Sequence, residues 1–233
     1  MRARLRLTIG FALLMPVASF AAPLQVHLPE HRVLSSSEKE SFEPALIEQL
    51  AETLGRPSLF VARSKDADLR LLPDDQPGAA VYYRAAPAAL SATEGGLAAW
   101  ADLRGQTVCI GSASPYAIML SEHFAAVPRE YPSAAHALIG LKLGECVAVV
   151  DDDVLLMEIA SLPEWQRYKH LLPRLADAER QMSLNFDDEG LQQQTNDLLA
   201  QWSADGRLAE LTRHWIDEVA FQAYVLADTL DCH

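Results

Sequence analysis

Residues 129–160 read REYPSAAHALIGLKLGECVAVVDDDVLLMEIA. Arg129-Glu130-Tyr131 is a short extended stretch that Pro132 stops. Ser133 is an N-cap residue, Ala134, Leu138 and Leu141 share one helical face behind it, and Gly144 closes that helix. Cys146–Val150 is an unbroken apolar run, the pattern of a strand buried on both faces. Asp151-Asp152-Asp153 ends the strand, and VLLMEIA opens another helix. Strand, helix, strand, helix in this order predicts an α/β domain on a parallel sheet.

The same alternation extends outward. Gly105–Gly111 predicts a strand ending in a Gly-Ser turn, and Pro115–Phe124 a helix. Toward the N-terminus, Leu24–Leu28 alternates like a strand. Residues 41–55 predict a helix, with Phe42, Leu46, Leu50 and Leu54 on one face, Glu43 in the first turn and Gly55 at the end. Ser58–Ala62, Asp68–Leu72, Ala79–Tyr83 and Ala88–Ser91 read as short strands, and residues 74–78, DDQPG, as a turn. Toward the C-terminus come a strand at Met182–Phe186 and helices at Glu189–Trp202 and Leu208–Trp215, joined at Asp205-Gly206. Residues 217–233 are apolar without a clear period.

Among 233 residues, 19 Lys+Arg stand against 32 Asp+Glu, a net charge of −13. That balance argues against general nucleic-acid binding and against anionic membrane surfaces, both of which repel an acidic chain. Half of the residues are hydrophobic, so the composition is globular. The N-terminus has a basic MRARLR, an apolar stretch over 7–20, and small residues at Ser19 and Ala21. That is the pattern of a secretory signal cleaved after Ala21, and it predicts a periplasmic location. An uncleaved anchor is the alternative. In an oxidising compartment two of the three cysteines, Cys109, Cys146 and Cys232, can bridge, and an odd one remains.

Two local features can carry chemistry. Gly111-Ser112-Ala113-Ser114 joins a strand to a helix, so backbone N–H groups and two hydroxyls there can receive an anion. Plain helix capping by Ser112 or Ser114 is the competing reading. Asp151-Asp152-Asp153 sits at the C-terminal end of a buried strand, the edge where open α/β sheets bind ligands. A carboxylate there suits an amine, while capping and a solvated acid run are the alternatives. Tyr82-Tyr83 beside Arg84 can line a cleft and hold a carboxylate. The sequence contains no GxSxG, HExxH, P-loop or GxGxxG pattern. The seven histidines are scattered, so no catalytic residue, metal ligand or cofactor is expected.

From Phe42 to about Trp215 the chain resembles the type 2 periplasmic solute-binding proteins, specifically extracellular solute-binding family 3, the amino-acid receptors of ABC importers. Four stretches carry the resemblance: SFEPALIEQLAETLGRP (41–57), AWADLRGQTVCIGSAS (99–114), EYPSAAHALIGLKLGECVAVVDDDVLL (130–156) and LNFDDEGLQQQTNDLLAQWSADGRLAELTRHWI (184–216). It implies a two-lobed type II α/β fold, each lobe a mainly parallel sheet flanked by helices. After the signal at 1–21, lobe 1 spans 22–96 and 183–233, and lobe 2 spans 97–182. The lobes would close on a ligand by hinge motion.

The resemblance further implies a monomeric receptor that delivers an amino acid or similar small polar solute to ABC transporter membrane subunits. By the family pattern Ser112, Ala113 and Ser114 receive the ligand's carboxylate and Asp152 its amino group, with Tyr82 and Arg84 beside them. In the implied fold Cys109 and Cys146 lie on neighbouring strands. Their offset along those strands leaves the bridge open. The chain departs from the family between Pro57 and Tyr82, where the segment carrying the carboxylate-clamping Arg is missing, so lobe 1 is trimmed. Arg84, Arg32 or Arg70 would have to take over that clamp. A degenerate, partner-binding accessory protein is one alternative function. A dehydratase on the same scaffold is another, with Asp152, Glu122 or His31 as acid–base candidates.

Overall fold

A computed structural model describes residues 22–28, 42–73, 78–112 and 114–231. The expected signal segment 1–21 lies outside the described residues, as do most of the DDQPG turn, His31, Arg32, Ala113 and Cys232.

The described residues build two five-stranded sheets. The first contains β1 (Leu24–His27), β2 (Ser58–Phe60), β3 (Leu69–Pro73), β4 (Ala80–Ala85) and β10 (Arg180–Phe186), in the order β2-β1-β3-β10-β4. The second contains β5 (Pro87–Ser91), β6 (Thr107–Gly111), β7 (Val127–Tyr131), β8 (Ala148–Asp152) and β9 (His170–Leu171), in the order β7-β6-β8-β5-β9. In each sheet three strands pair in parallel, and one strand runs against its neighbours: β10 in the first, β5 in the second. Each sheet is therefore mixed, with a mainly parallel core. The chain crosses between sheets at Ala86 and returns over residues 172–179.

Among the described residues six α-helices cover the sheets: α1 (Phe42–Thr53), α2 (Ala117–His123), α3 (Ala134–Lys142), α4 (Asp153–Ser161), α5 (Glu189–Ala204) and α6 (Arg207–Asp231). Helix α1 forms where expected, because Phe42, Leu46, Ile47 and Leu50 recur on one face and are buried against the first sheet. Gly55 ends it with φ at +67°, a left-handed conformation that glycine adopts freely. Ser133 caps α3 through the His136 N–H, and Asp188 caps α5 through the Leu191 N–H. The second sheet follows the period of two. Cys109 and Val149 face α3 and α4, while Val108, Ile110, Ala148 and Val150 face Trp100, Tyr116 and Leu120 on the other side.

Helix α6 differs most from the sequence reading. The helix expected to stop at Trp215 runs on to Asp231. Leu211 belongs to the core of the first sheet, whereas Ile216, Val219 and Ala223 belong to the core of the second, with Ala220, Leu226 and Ala227 packed alongside. The spacing 216, 219, 220, 223, 226, 227 is a helical stripe. Phe221, Tyr224 and Val225 hid it from a sequence reading, because they place apolar residues on the opposite face, where they are 61%, 60% and 42% exposed. No described helix is long and apolar enough to cross a membrane.

The first sheet is economical. Only a single 3-10 turn, Ser64–Asp66, lies between β2 and β3, and residues 74–79 alone link β3 to β4.

Candidate functional site

Asp152 is the last residue of β8 and is only 6% exposed. The pleat puts it on the side of Ala148 and Val150, toward the loop that follows β6. From that loop the Tyr116 hydroxyl donates to Asp152 Oδ1 at 2.5 Å. From the first sheet the Tyr83 hydroxyl donates to Asp152 Oδ2 at 2.8 Å. The carboxylate is thus held by one phenol from each half of the molecule. Burial, and then the charge and hydrogen bond of Asp152, push the Tyr116 phenol far above its ordinary pKa, with Asp151 adding and Arg180 opposing.

Tyr83 reaches Asp152 because β4 is irregular. Opposite β10, Tyr83 pairs with Met182 and Val81 with Ser183, so Tyr82 is an extra residue, a β-bulge. The bulge resets the alternation and turns both Tyr82 and Tyr83 inward, where both rings stack on Phe42 at centroid distances of 5.9 and 5.5 Å. Trp215 of α6 closes the cluster edge-on against Tyr83 at 6.3 Å. The Tyr82 hydroxyl turns to Glu43, a carboxylate 1% exposed at the start of α1, at 3.3 Å.

Asp153 ties the two crossings together. Its Oδ1 accepts from its own helix at Val154 N and from Ala86 N in the first crossing, at 2.9 and 3.0 Å. Its Oδ2 accepts from Arg174 Nε in the return crossing at 2.5 Å, and Arg174 also bonds Glu179 at 2.6 Å. Asp153 therefore fastens the two crossing segments to each other, and Asp152 is the member of the acid run that faces between the sheets.

The remaining expected residues distribute as follows. Ser112 and Ser114 lie at the end of β6, beside Asp152's neighbour Tyr116. Their N–H groups donate to Tyr131 O and Gly111 O, and Ser114 Oγ accepts from Tyr116 N at 3.3 Å. Neither serine caps helix α2, which starts at Ala117 with Tyr116 as its N-cap and no side-chain cap bond. Arg84 pairs across the ladder with Gln181, and its guanidinium bonds Gln181 Oε1 at 3.3 Å. With Tyr82, Tyr83, Glu158, Thr212 and Arg213, Arg84 lines an inter-lobe groove of about 470 Å³. Arg70 is committed to Asp187 through both guanidinium nitrogens, at 2.6 and 3.0 Å. Glu122 is exposed on α2. Cys109 and Cys146 do form a disulfide, with Cα atoms 5.7 Å apart. Tyr116, Arg174 and Arg180 had no sequence signal, because their relation to the acid run exists only through sheet pairing.

No protein-family model matches this sequence, and no curated protein matches it. Solved structures do. The substrate binding protein of an amino acid ABC transporter superposes with a TM-score of 0.60 at 12% identity, over 84% of this chain and 99% of its own. An arginine transport periplasmic binding protein from Legionella pneumophila gives 0.57 at 17% identity, over 84% and 100%. An ancestral amino-acid-binding protein, a precursor of cyclohexadienyl dehydratase, gives 0.57 at 16%, over 83% and 95%. At these identities the likeness is one of fold. The chain has the two-lobed α/β fold of these binding proteins, nearly over their full length.

Proposed function

We propose that the chain is a solute-binding protein that holds a small amino-acid-like ligand between its lobes for an ABC transporter, working in a periplasm. One observation carries the reading: Asp152, a buried carboxylate at the C-terminal end of a parallel strand, faces between the two sheets and is reached by a hydroxyl from each. In this reading the ligand's ammonium group replaces the Tyr83 and Tyr116 hydroxyls on Asp152, which turn to face the ligand. The neighbours' amino-acid-binding roles support the solute class. A neighbour that is a precursor of cyclohexadienyl dehydratase keeps a catalytic relative in view, while Glu122, a candidate acid, stands exposed on α2. The binder reading is preferred to the enzyme because the similar structures are binding proteins.

A second reading rests on the same hydrogen bonds. Both Asp152 oxygens already accept a phenol, which suits an accessory protein whose cleft no longer takes a solute. Thermal shift of the full chain against L-amino acids, polyamines, small carboxylates and oligopeptides separates the two. A ligand at 100 times its Kd adds about 2.7 kcal/mol to the folded state. A stabilising ligand whose effect is lost in Asp152→Ala establishes the receptor. A cooperative melt that no compound moves sinks it in favour of the accessory protein.

A further inference from the structure

Helix α6 gives its inner stripe to the two cores, yet its outer face carries side chains that solvation alone does not call for. Ten large hydrophobic side chains are exposed among the described residues, and three of them, Phe221, Tyr224 and Val225, fall within five residues of α6. Their spacing of i, i+3 and i+4 puts them side by side on one face. Apolar residues scattered singly over a surface need no explanation, but two rings and a valine on adjoining turns form a patch. Asp217 lies one turn before Phe221 and Asp228 one turn after Tyr224, on the same face, and both are exposed. No hydrogen bond or ion pair among the described residues engages either carboxylate. Arg213 is the last Lys or Arg of the chain, so residues 214–233 hold four acids and no Lys or Arg. The face reads acid, apolar, acid from Asp217 to Asp228, about 16 Å along the helix axis.

This charge pattern selects the occupant. A second copy of the chain would set Asp217 against Asp228 in an antiparallel pairing, or each against itself in a parallel one, and like charges across a contact reject a partner. An anionic bilayer is repelled in the same way. A helix has no open edge to which an extended strand could add, whereas a second helix can lay an apolar stripe on it. We propose that the outer face of α6 over residues 217–228 is a docking surface for a basic amphipathic helix of a partner protein. Its apolar side chains rest on Phe221, Tyr224 and Val225, and a Lys or Arg meets each of Asp217 and Asp228. Aromatic side chains supply the buried centre of such a contact, and the flanking acids steer and orient the cationic partner. The surface is separate from Asp152 and does not depend on a solute being bound there.

Fluorescence anisotropy of the full chain tests the assignment. The probe is a labelled peptide of about 18 residues, five helical turns, with a leucine stripe flanked by lysines at the spacing of Asp217 and Asp228. The same peptide with glutamates in place of the lysines is the control. The lysine peptide is expected to bind with an affinity that falls as salt rises, and the glutamate peptide to bind at least about tenfold more weakly. Phe221→Ser combined with Tyr224→Ser is expected to weaken the lysine peptide by about tenfold or more, and Asp217→Asn combined with Asp228→Asn by about fivefold with a flatter salt dependence. Glu52→Gln combined with Glu94→Gln removes two exposed charges elsewhere and is expected to change binding by less than about twofold. Thermal melts verify that each variant folds. The proposal is overturned if the lysine peptide does not bind, if its binding is undiminished in the folded double-serine variant, or if the Glu52 and Glu94 pair matters as much as the Asp217 and Asp228 pair. Sedimentation velocity that shows the peptide-free chain dimerising, with the dimer lost in the double-serine variant, overturns it in favour of a second copy.

Discussion

At the scale of the residue, the decisive group is a carboxylate that has been desolvated and then compensated. Asp152 accepts from Tyr83 and Tyr116 across the lobe junction, and each phenol is itself buried. Removing one donor leaves a buried charge with one fewer hydrogen bond. Tyr116→Phe is therefore expected to cost about 1.5–3 kcal/mol in denaturant unfolding of the unliganded chain. If the ligand's ammonium group takes the place of the phenols, the cost should shrink at saturating ligand. An unchanged cost at saturation argues that the phenols never leave Asp152. Two exposed carboxylates set an acid limb of stability. The N–H groups of Ala98 and Ala99 hold Asp102 below the usual carboxylate range, and hydrogen bonding to Arg70 does the same for Asp187. Because these folded-state values are lowered, their stabilisation is present above the unfolded carboxylate value near pH ~4 and is lost as pH falls through the lowered one. Asp102→Asn should accordingly lower the melting temperature at pH 7 and lose that effect toward pH ~2.

At the scale of the element, most strands and helices were legible because their patterns are local. Strand β8 and helix α3 follow from an apolar run and a capped stripe, and both form near their expected positions. The bulge in β4 was not legible. Sequence alternation cannot show that Tyr82 and Tyr83 point the same way, because the extra residue is defined only by the register against β10. The Cys109–Cys146 bridge was open for a similar reason: strand offset decides whether the Cα atoms come within reach. The bridge closes a loop with a sequence separation of 37 residues, so replacing both cysteines with serine should lower unfolding free energy by about 3–4 kcal/mol. Helix α3 leans on that bridge at Gly140, where a Cβ would lie 2.6 Å from the Tyr131 ring and 2.8 Å from Cys109 Sγ. Gly140→Ala should cost about 1–3 kcal/mol through overpacking, despite alanine's better helix propensity. A melt equal to the wild type would mean that the helix shifts freely over the disulfide.

At the scale of the whole molecule, α6 makes one body of two lobes. It starts on the core of the first sheet at Leu211 and ends on the core of the second through Val219 and Ala223. Any hinge motion has to carry this strap or slide beneath it. Val219→Asp, which buries a charge at the second contact, should therefore lower the melting temperature sharply and separate the calorimetric transition into two. Phe221→Ser, two residues on and facing solvent, should change stability by no more than about 0.5 kcal/mol. A single unshifted transition in Val219→Asp would show that the strap does not couple the lobes. The sequence by itself determined the α/β class, the alternation of elements, the acid run at a strand end and the family likeness. All of these are encoded in short-range periodicity and in residues adjacent along the chain. Only the tertiary structure decided that Tyr83 and Tyr116 meet on Asp152 and that the tail is a strap. Those relations arise from register, bulge and packing between segments tens of residues apart, where sequence spacing carries no distance.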